Sequence, residues 1–418
     1  MKRVVDMSLW SLQGFGKYYL FNLLSYFGSG ISIVALPLYI YEQTESPLIT
    51  SLVSASASLP YLLFGLFAGA FADRGNRKRI MIGCDMCCAI LLATVPAAAM
   101  LNGHASPWHL LAVSFLTAVA FVGFDSSSHG ALLQLVGREK LVAANSLLIS
   151  SDTVIRIAGP VIAGFIIAAW GAEWAIAVTA VCYLLSGLLI GSIRQSFQTE
   201  RTQNDGEAGS SLFRRLRADI GEGLSYIWSE PLIRSLTLLG FGNGFVGGAV
   251  GGLIVVFGAQ ALGFADDAPQ LGILYTFGSI GALLASLVLP PLRAIFLPGR
   301  ITIAGLAAGG MSLLGFAMSG GVATASLFYL LWSAASTLII INGITLRQQL
   351  TPDHLQGRVH ASGRMIAYGG SPFGSLLGGV AASGIGVQPT YAVTAFVLIV
   401  LFAVSLRTPL RGYMMKAE

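Results

Sequence analysis

Long apolar windows separated by short polar segments follow one another along almost the whole chain. Six of these windows occupy the first half, at residues 18–41, 48–72, 80–101, 108–134, 142–170 and 174–193. Six more occupy the second half, at residues 232–262, 269–292, 301–320, 324–346, 361–386 and 390–406. A helix that crosses a membrane needs about 20 mostly apolar residues, because lipid offers the backbone no hydrogen-bond partners. The pattern therefore predicts an all-α integral membrane protein with twelve transmembrane helices.

The two halves of the chain echo each other. Segment 135–141 precedes the Gly-Pro pair that begins at Gly159, as segment 350–355 precedes the Ser-Pro pair that begins at Ser371. Such a repeat is typical of two six-helix bundles related by an axis along the membrane normal, with a substrate site at their interface. We therefore predict two pseudo-symmetric six-helix bundles joined by a linker. The predicted boundaries are 1–193, 194–230 and 231–418.

The second part of the linker has its own pattern. Apolar residues recur there at helical spacing, at Leu212, Phe213, Leu216, Ile220, Leu224 and Ile227, and arginines lie between the first of them. This spacing predicts an amphipathic helix on the inner membrane surface, with membrane lipids as its partner.

Charge is scarce and unevenly placed. Of 418 residues, 55% are apolar and only 10% are charged, whereas a soluble domain carries about 25% charged residues. Basic clusters fall in every second connection, at 74–79, 138–140, 194–217 and 407–416, and the alternate connections carry acidic residues alone. An excess of Lys and Arg marks cytoplasmic loops. The sequence therefore predicts a multi-pass protein of the cytoplasmic (inner) membrane with both termini inside.

The run from Gly69 to Arg79 resembles the signature G-x-x-x-D-R-x-G-R-K of the major facilitator superfamily, apart from Asn76 where glycine is usual. The resemblance implies a conformational latch formed by Gly69, Asp73, Arg74, Arg77 and Lys78. Asparagine tolerates left-handed backbone geometry as glycine does, so Asn76 is compatible with that loop.

A second run, Arg156 to Gly164, resembles the antiporter motif of the fifth helix, carried here by Gly159, Pro160 and Gly164. That resemblance implies export. A kinked packing helix without directional meaning is the alternative.

Two further runs, 132–147 and 347–359, are similar to the branch of the superfamily that contains macrolide and enterobactin exporters. The resemblance implies a proton-coupled antiporter, acting as a monomer, that exports small amphipathic molecules such as siderophores or antibiotics. The substrate is not fixed by it, and an importer, a facilitator or a lysolipid flippase on the same fold are alternatives.

Ionisable side chains inside the apolar windows are functional candidates, because each costs about 2.5–3.5 kcal/mol at a helix centre. Asp125 and His129 lie four residues apart, so they share a helix face and could exchange a proton. Asp152 and Arg156 have the same spacing, and an ion pair between them could also be structural. We predict that these four residues carry proton coupling, with Asp125 as the titrating group, whereas Asp85 is expected to be structural, near the basic cluster 74–79.

A substrate cavity for an amphiphile needs aromatic walls and few charges. Among the aromatic residues of the apolar windows, Tyr26, Phe124 and Tyr368 are the predicted lining residues, together with the arginine Arg364. Two glycine stripes, one per helical turn from Gly240 to Gly252 and from Gly370 to Gly378, predict close helix contacts.

Other functions are disfavoured by the same patterns. Basic residues confined to one side of the membrane argue against nucleic-acid binding despite the net charge of +5. The G-x-G-x-x-G run at 242–247 lies inside an apolar window rather than between a strand and a helix, so it does not indicate dinucleotide binding. The sequence has no phosphate-binding lysine loop, so ATP is not the expected energy source. Cysteines at 84, 87 and 88 lack a second ligand pair, so neither a metal nor a cofactor is expected. A membrane-embedded enzyme using Asp125 and His129 is a remote alternative, because a third aligned polar group is missing.

Overall fold

The computed structural model describes residues 9–195, 197, 210–264, 268–352 and 355–412, and within this part the regular structure is helical. The first seven helices are α1 (Phe15–Thr44), α2 (Pro47–Arg74), α3 (Arg77–Asn102), α4 (Pro107–Gly137), α5 (Glu139–Trp170), α6 (Ala172–Ser192) and α7 (Ser210–Ser229). The remaining six are α8 (Pro231–Ala261), α9 (Ala268–Ile295), α10 (Pro298–Ala317), α11 (Val322–Leu350), α12 (Gln356–Ile385) and α13 (Val387–Ser405). The predicted all-α membrane fold is confirmed.

Eleven of these helical segments in the described part of the chain are long and apolar enough to cross a membrane. The other two are α7 and α12. Helix α12 has 30 residues, which exceeds the roughly 20 that a span needs. Its first turns carry Arg358, His360 and Arg364, and the predicted apolar window accordingly starts only at residue 361.

Helices α4 and α5 follow each other almost without a connection. Gly137 has φ of 72° and ψ of 171°, which breaks the helical path between them. Glycine adopts positive φ without the Cβ clash that other residues meet. A single glycine therefore replaces the loop that the polar segment 135–141 suggested.

The chain divides into two compact units. The first takes its described residues from Met1–Glu45, Leu63–Glu200 and Phe264–Thr276. In it, α6 packs against α1 and α3, and the α4–α5 pair packs against all three. Its core is aromatic at one end, where the Tyr18 and Phe21 rings lie 4.7 Å apart and the Phe21 and Phe124 rings 6.2 Å apart.

The second unit takes its described residues from Ser46–Leu62, Arg201–Gly263 and Phe277–Glu418. Its closest pair is α8 and α12, and α10 packs against α11 and α13. The two glycine stripes meet in the α8–α12 contact. A Cβ built on Gly248 would collide with the carbonyl oxygen of Ser371, and one on Gly374 would collide with that of Phe245. The predicted close helix contact is therefore present.

Helix α7 extends over most of the predicted amphipathic segment, and its end is covered by protein. Ile227 is fully buried in a cluster with Ile233, Leu355 and Val359. The Glu222 carboxylate forms an ion pair with Arg358. The apolar side of this last turn thus faces α8 and α12 rather than lipid, which corrects the prediction for this part. The side chains at 211–216, which carry the predicted basic surface, lie outside the described residues.

Candidate functional site

The four predicted coupling residues lie in the first unit on two successive helices. Nε2 of His129 is 3.9 Å from Oδ1 of Asp125, and Nε of Arg156 is 2.8 Å from Oδ2 of Asp152. Each pair spans one helical turn, as the spacing predicted. The Asp125 and Asp152 side chains are 32% and 27% exposed, so neither carboxylate is sealed in the core. Such partial access is required of a group that exchanges protons with water.

Tyr26 of α1 lies near both pairs. Its hydroxyl lies within electrostatic range of Asp152, Asp125 and Arg156. Neighbouring tyrosines fix α1 against the same two helices, because Tyr18 bonds to Ser128 of α4 and Tyr19 bonds to Ser151 of α5 at 2.7 Å. The structure thus brings Tyr26 and both acid pairs into one cluster, which we call the carboxylate cluster (Tyr26, Asp125, His129, Asp152, Arg156).

Two lysines connect the first turns of α1 and α3 to the end of α6. Lys78 donates through Nζ to the Ile193 carbonyl, and Lys17 donates to the Ser192 carbonyl at 3.1 Å. Both lysines therefore sit at the carboxyl end of α6, where cations are favoured by the helix dipole. The Arg77 guanidinium lies against Gly130 of α4, where a Cβ would be 2.6 Å from its Nε. The surroundings of the predicted latch residues Gly69, Asp73 and Arg74 lie outside the described part.

Asn76 has a different role from the one expected. Its φ of −75° and ψ of 100° are extended rather than left-handed. Its Oδ1 accepts a hydrogen bond from the Arg79 backbone N–H at 3.1 Å. Asparagine thus serves here as the N-cap of α3, a position where a side-chain oxygen satisfies an otherwise free helical N–H.

We expect Asn76→Ala to lower the free energy of unfolding by about 1 kcal/mol, because it removes this cap. Asn76→Ser retains a capping oxygen and serves as the control. Thermal unfolding in detergent measures both. Equal stability of the alanine and serine variants would contradict the capping role.

The antiporter-like run lies in α5 against α1. A Cβ on Gly159 would come within 3.3 Å of the Gly30 Cα, so the two backbones are in close contact there. Pro160 and Gly164 are buried one and five residues further along. The Pro160 carbonyl faces Gly272, whose missing Cβ leaves room for it. The run is therefore a tight packing surface, and its predicted directional meaning stays a prediction.

The predicted cavity residues separate into different places. Arg364 and Tyr368 line a cavity within the second unit, between α8, α10, α11 and α12. The Arg364 guanidinium also lies 5.8 Å from the centre of the Tyr61 ring. Tyr26 belongs to the carboxylate cluster in the first unit. Phe124 is only 4% exposed and packs on Phe21, so it is a core residue and the prediction that it lines a cavity is wrong.

Two buried ionisable residues have surroundings that the sequence did not predict. Asp85 is buried between α3 and α6, where the Ser186 hydroxyl donates to its Oδ2 at 2.5 Å and Ser25 donates to Ser186 at 2.9 Å. Its hydrogen-bond partner is therefore Ser186 rather than a residue of the basic cluster. Arg347, near the end of α11, is 4% exposed and lines the cavity of the second unit. The only sequence signal for Arg347 is that it follows an apolar window directly.

Comparison with known proteins fits this architecture. Residues 18–375 match the family model described as the Major Facilitator Superfamily. The chain belongs to the major facilitator superfamily. It is thus a multi-pass membrane protein of a family of transporters rather than enzymes.

Relatives within the superfamily are named for efflux. The chain is 28% identical over 402 residues to the multidrug efflux pump Tap of Mycolicibacterium fortuitum, covering 91% of this chain and 92% of the relative. It is 24% identical over 212 residues to macrolide efflux protein A of Streptococcus pyogenes, covering 51% and 50% of the two chains. These matches agree with the drug-exporter branch inferred from the motifs.

Solved structures of the superfamily share the fold. The nucleoside transporter NupG aligns with a TM-score of 0.73 at 14% identity, covering 95% of this chain and 99% of that one. A bacterial homologue of the human lysosomal transporter Spinster aligns with a TM-score of 0.71 at 15% identity, covering 96% and 98%. At such identities the likeness extends to the fold alone.

Proposed function

We propose that the protein is a proton-coupled secondary exporter that exchanges protons for small amphipathic molecules, such as siderophores or antibiotics, across the cytoplasmic membrane. The observation that carries the proposal is the carboxylate cluster, in which two acid–base pairs from α4 and α5 lie beside Tyr26 of α1. The efflux names of the relatives support the outward direction. Alternating access of the two halves would supply the transport cycle.

The cluster offers a physical route to coupling. When Asp152 is ionised, its negative charge is paired with Arg156 one turn away, and an ionised Asp125 lies beside the imidazole of His129. Protonation removes that charge and frees the basic partner, so the protonated and ionised forms favour different local arrangements. Each proton entering the cell yields about 1.4 kcal/mol per pH unit and about 2.3 kcal/mol per 100 mV. That is adequate to drive an amphiphile outward against its gradient.

In the proposed orientation, both termini lie in the cytoplasm, the basic connections face the inner leaflet, and membrane lipids contact the basic face of α7. Arg364 and Tyr368 form part of the substrate-binding surface. The protein acts as a monomer with no resident cofactor.

Energised everted membrane vesicles test this function. Their outward face is the cytoplasmic one, so respiration makes the lumen acidic. We expect vesicles that contain the protein to accumulate a fluorescent amphiphile, because the proton gradient drives export into the lumen. A protonophore abolishes the accumulation, and vesicles without the protein provide the control.

Other outcomes distinguish the alternatives. Equilibration that ignores the protonophore would indicate a facilitator, and gradient-driven loss from the lumen would indicate an importer. Translocation of a labelled lysolipid alone would indicate a flippase. Any of these would overturn the proposed antiport.

A further inference from the structure

The cavity of the second unit has apolar walls and a basic end. It lies where α8, α10 and α12 begin and α11 ends, and aliphatic side chains and glycines form most of its surface. Its polar groups are Asn243, Thr302, Arg347, Arg364 and Tyr368. Within the described part of the chain, neither Asp nor Glu is among its lining residues. The charge pattern of the sequence assigns this end of the helices to the cytoplasmic side.

Among the described residues, no acidic side chain pairs with Arg347 inside this cavity. Only 4% of the residue is exposed. Among the described residues its Nε has no hydrogen-bond partner. The guanidinium packs against Gly363 of α12, where a Cβ would lie 2.8 Å from its Cζ. The glycine thus leaves the space that the guanidinium fills.

Two more basic groups surround it. Arg364 lines the same cavity, one turn before Tyr368. His360 lies within electrostatic range of both Arg347 and Arg364, and its Nδ1 is buried with no hydrogen-bond partner in the described residues. Arg347, Arg364 and His360 therefore lie near one another, and neither Asp nor Glu is among the described lining residues.

Physical chemistry restricts what can fill such a space. Removing a guanidinium from water is strongly unfavourable unless an anion and further hydrogen bonds replace the lost hydration. Its planar fork matches a carboxylate or phosphate through two parallel hydrogen bonds. The space inside the cavity is about 620 Å³ when its opening to solvent is included. The aliphatic walls require the rest of the ligand to be apolar.

We propose that this cavity binds an amphipathic molecule through a carboxylate or phosphate group, which Arg347 and Arg364 hold while the apolar part lies against α8 and α11. Asn243 bonds to Ser336 through its Nδ2 at 3.0 Å, and its buried Oδ1 has no partner among the described residues. That oxygen accepts a hydrogen bond from an N–H or O–H elsewhere on the ligand. The site therefore selects anionic over cationic amphiphiles. The inference deepens the proposed function and rests on it for the transport of the bound molecule.

Binding to the purified full chain in nanodiscs of neutral phosphatidylcholine tests the selectivity. The probes are dansylaminoundecanoate, its neutral amide and the matching amine, which share one apolar body and differ in charge. We expect the carboxylate to bind about tenfold or more tightly than the amide, because a charge-assisted pair contributes on that scale. The amine is expected to bind most weakly. Equal affinities for the three probes would overturn the proposal.

Variants of Arg347 test whether this arginine causes the preference for the carboxylate probe. Arg347→Gln is expected to weaken carboxylate binding about tenfold or more while leaving the amide unchanged, and Arg347→Lys restores part of it because a point charge remains. Arg293→Gln is the matched control, since Arg293 is only partly buried and bonds to Gln349, and neither residue lines the cavity. Folding of each variant is checked by its elution as a single species. Carboxylate affinity unchanged in a folded Arg347→Gln protein would overturn the assignment.

Adding phosphatidylglycerol to the nanodiscs distinguishes the sources of the anion. Competition that depends on Arg347 identifies a lipid headgroup as the occupant, and absence of competition identifies a dissolved amphiphile. Either result is compatible with anion recognition. Selective binding without gradient-driven transport would retain this inference and overturn the proposed function, whereas transport without charge selectivity would do the reverse.

Discussion

Gly248→Val is expected to abolish production of stably folded protein. The substituted side chain would collide with the backbone of Ser371, because a Cβ at Gly248 has no room beside the Ser371 carbonyl, C and Cα atoms. Backbone of a neighbouring helix cannot move aside as a flexible side chain can. Overpacking typically costs about 1–3 kcal/mol, and a β-branched residue adds two further methyl groups at this contact. The yield of monodisperse protein in detergent measures the effect.

The same helix supplies matched controls. Gly247 and Gly251 are neighbours of Gly248 in α8, and a Cβ at either position meets nothing within 4 Å. Gly247→Val and Gly251→Val are therefore expected to give yields near that of the parent. Gly374→Val, on the α12 side of the contact, should fail as Gly248→Val does. Equal yields for all four variants would show that the α8–α12 approach is not as close as the structure has it.

Asp125→Asn is expected to abolish gradient-driven accumulation while leaving substrate exchange at equilibrium intact. Asparagine keeps the shape of the side chain but cannot change its charge, so substrate movement is no longer tied to a proton. With one proton exchanged per substrate, a gradient of one pH unit supports about tenfold accumulation. We expect this ratio to fall to about one in the variant. Proteoliposome uptake with and without an imposed pH gradient measures both quantities.

Two other substitutions make the result specific. Glu230→Gln neutralises an exposed carboxylate that precedes α8 and forms no side-chain cap, so it should behave as the parent does. Asp152→Asn retains accumulation if Asp125 alone couples, since Asp152 is then a partner of Arg156 only. If Asp152→Asn loses accumulation and Asp125→Asn retains it, the coupling group is Asp152 and the assignment to Asp125 is wrong.

The helical architecture was predictable because each transmembrane helix is specified by residues that are adjacent in sequence. Apolar length and flanking charge are read directly from neighbouring residues, and eleven of the twelve predicted windows correspond to helices that are apolar enough to cross a membrane. The spacing within helices was also sufficient for the Asp125–His129 and Asp152–Arg156 pairs. Each of these contacts joins residues one turn apart.

Contacts between distant residues were not predictable in the same way. Asp85 meets Ser186, 101 residues later in the chain, and no local pattern connects them. The apolar window 324–346 ends just before Arg347, yet α11 continues to Leu350 and places Arg347 against Gly363. Phe124 and Tyr368 are alike in sequence context, and only the packing of neighbouring helices makes one a core residue and the other a residue exposed to 53% on a cavity wall.

The central claim, that transport is coupled to protons, is tested most directly by substrate-induced proton movement. The parent protein is reconstituted into liposomes with a trapped pH-sensitive dye and an acidic lumen, and siderophores, macrolides and lysolipids are added in turn. The account predicts that a transported compound releases protons from the lumen and that compounds which are not transported leave the pH unchanged. Transport of a compound with no accompanying proton movement would contradict it.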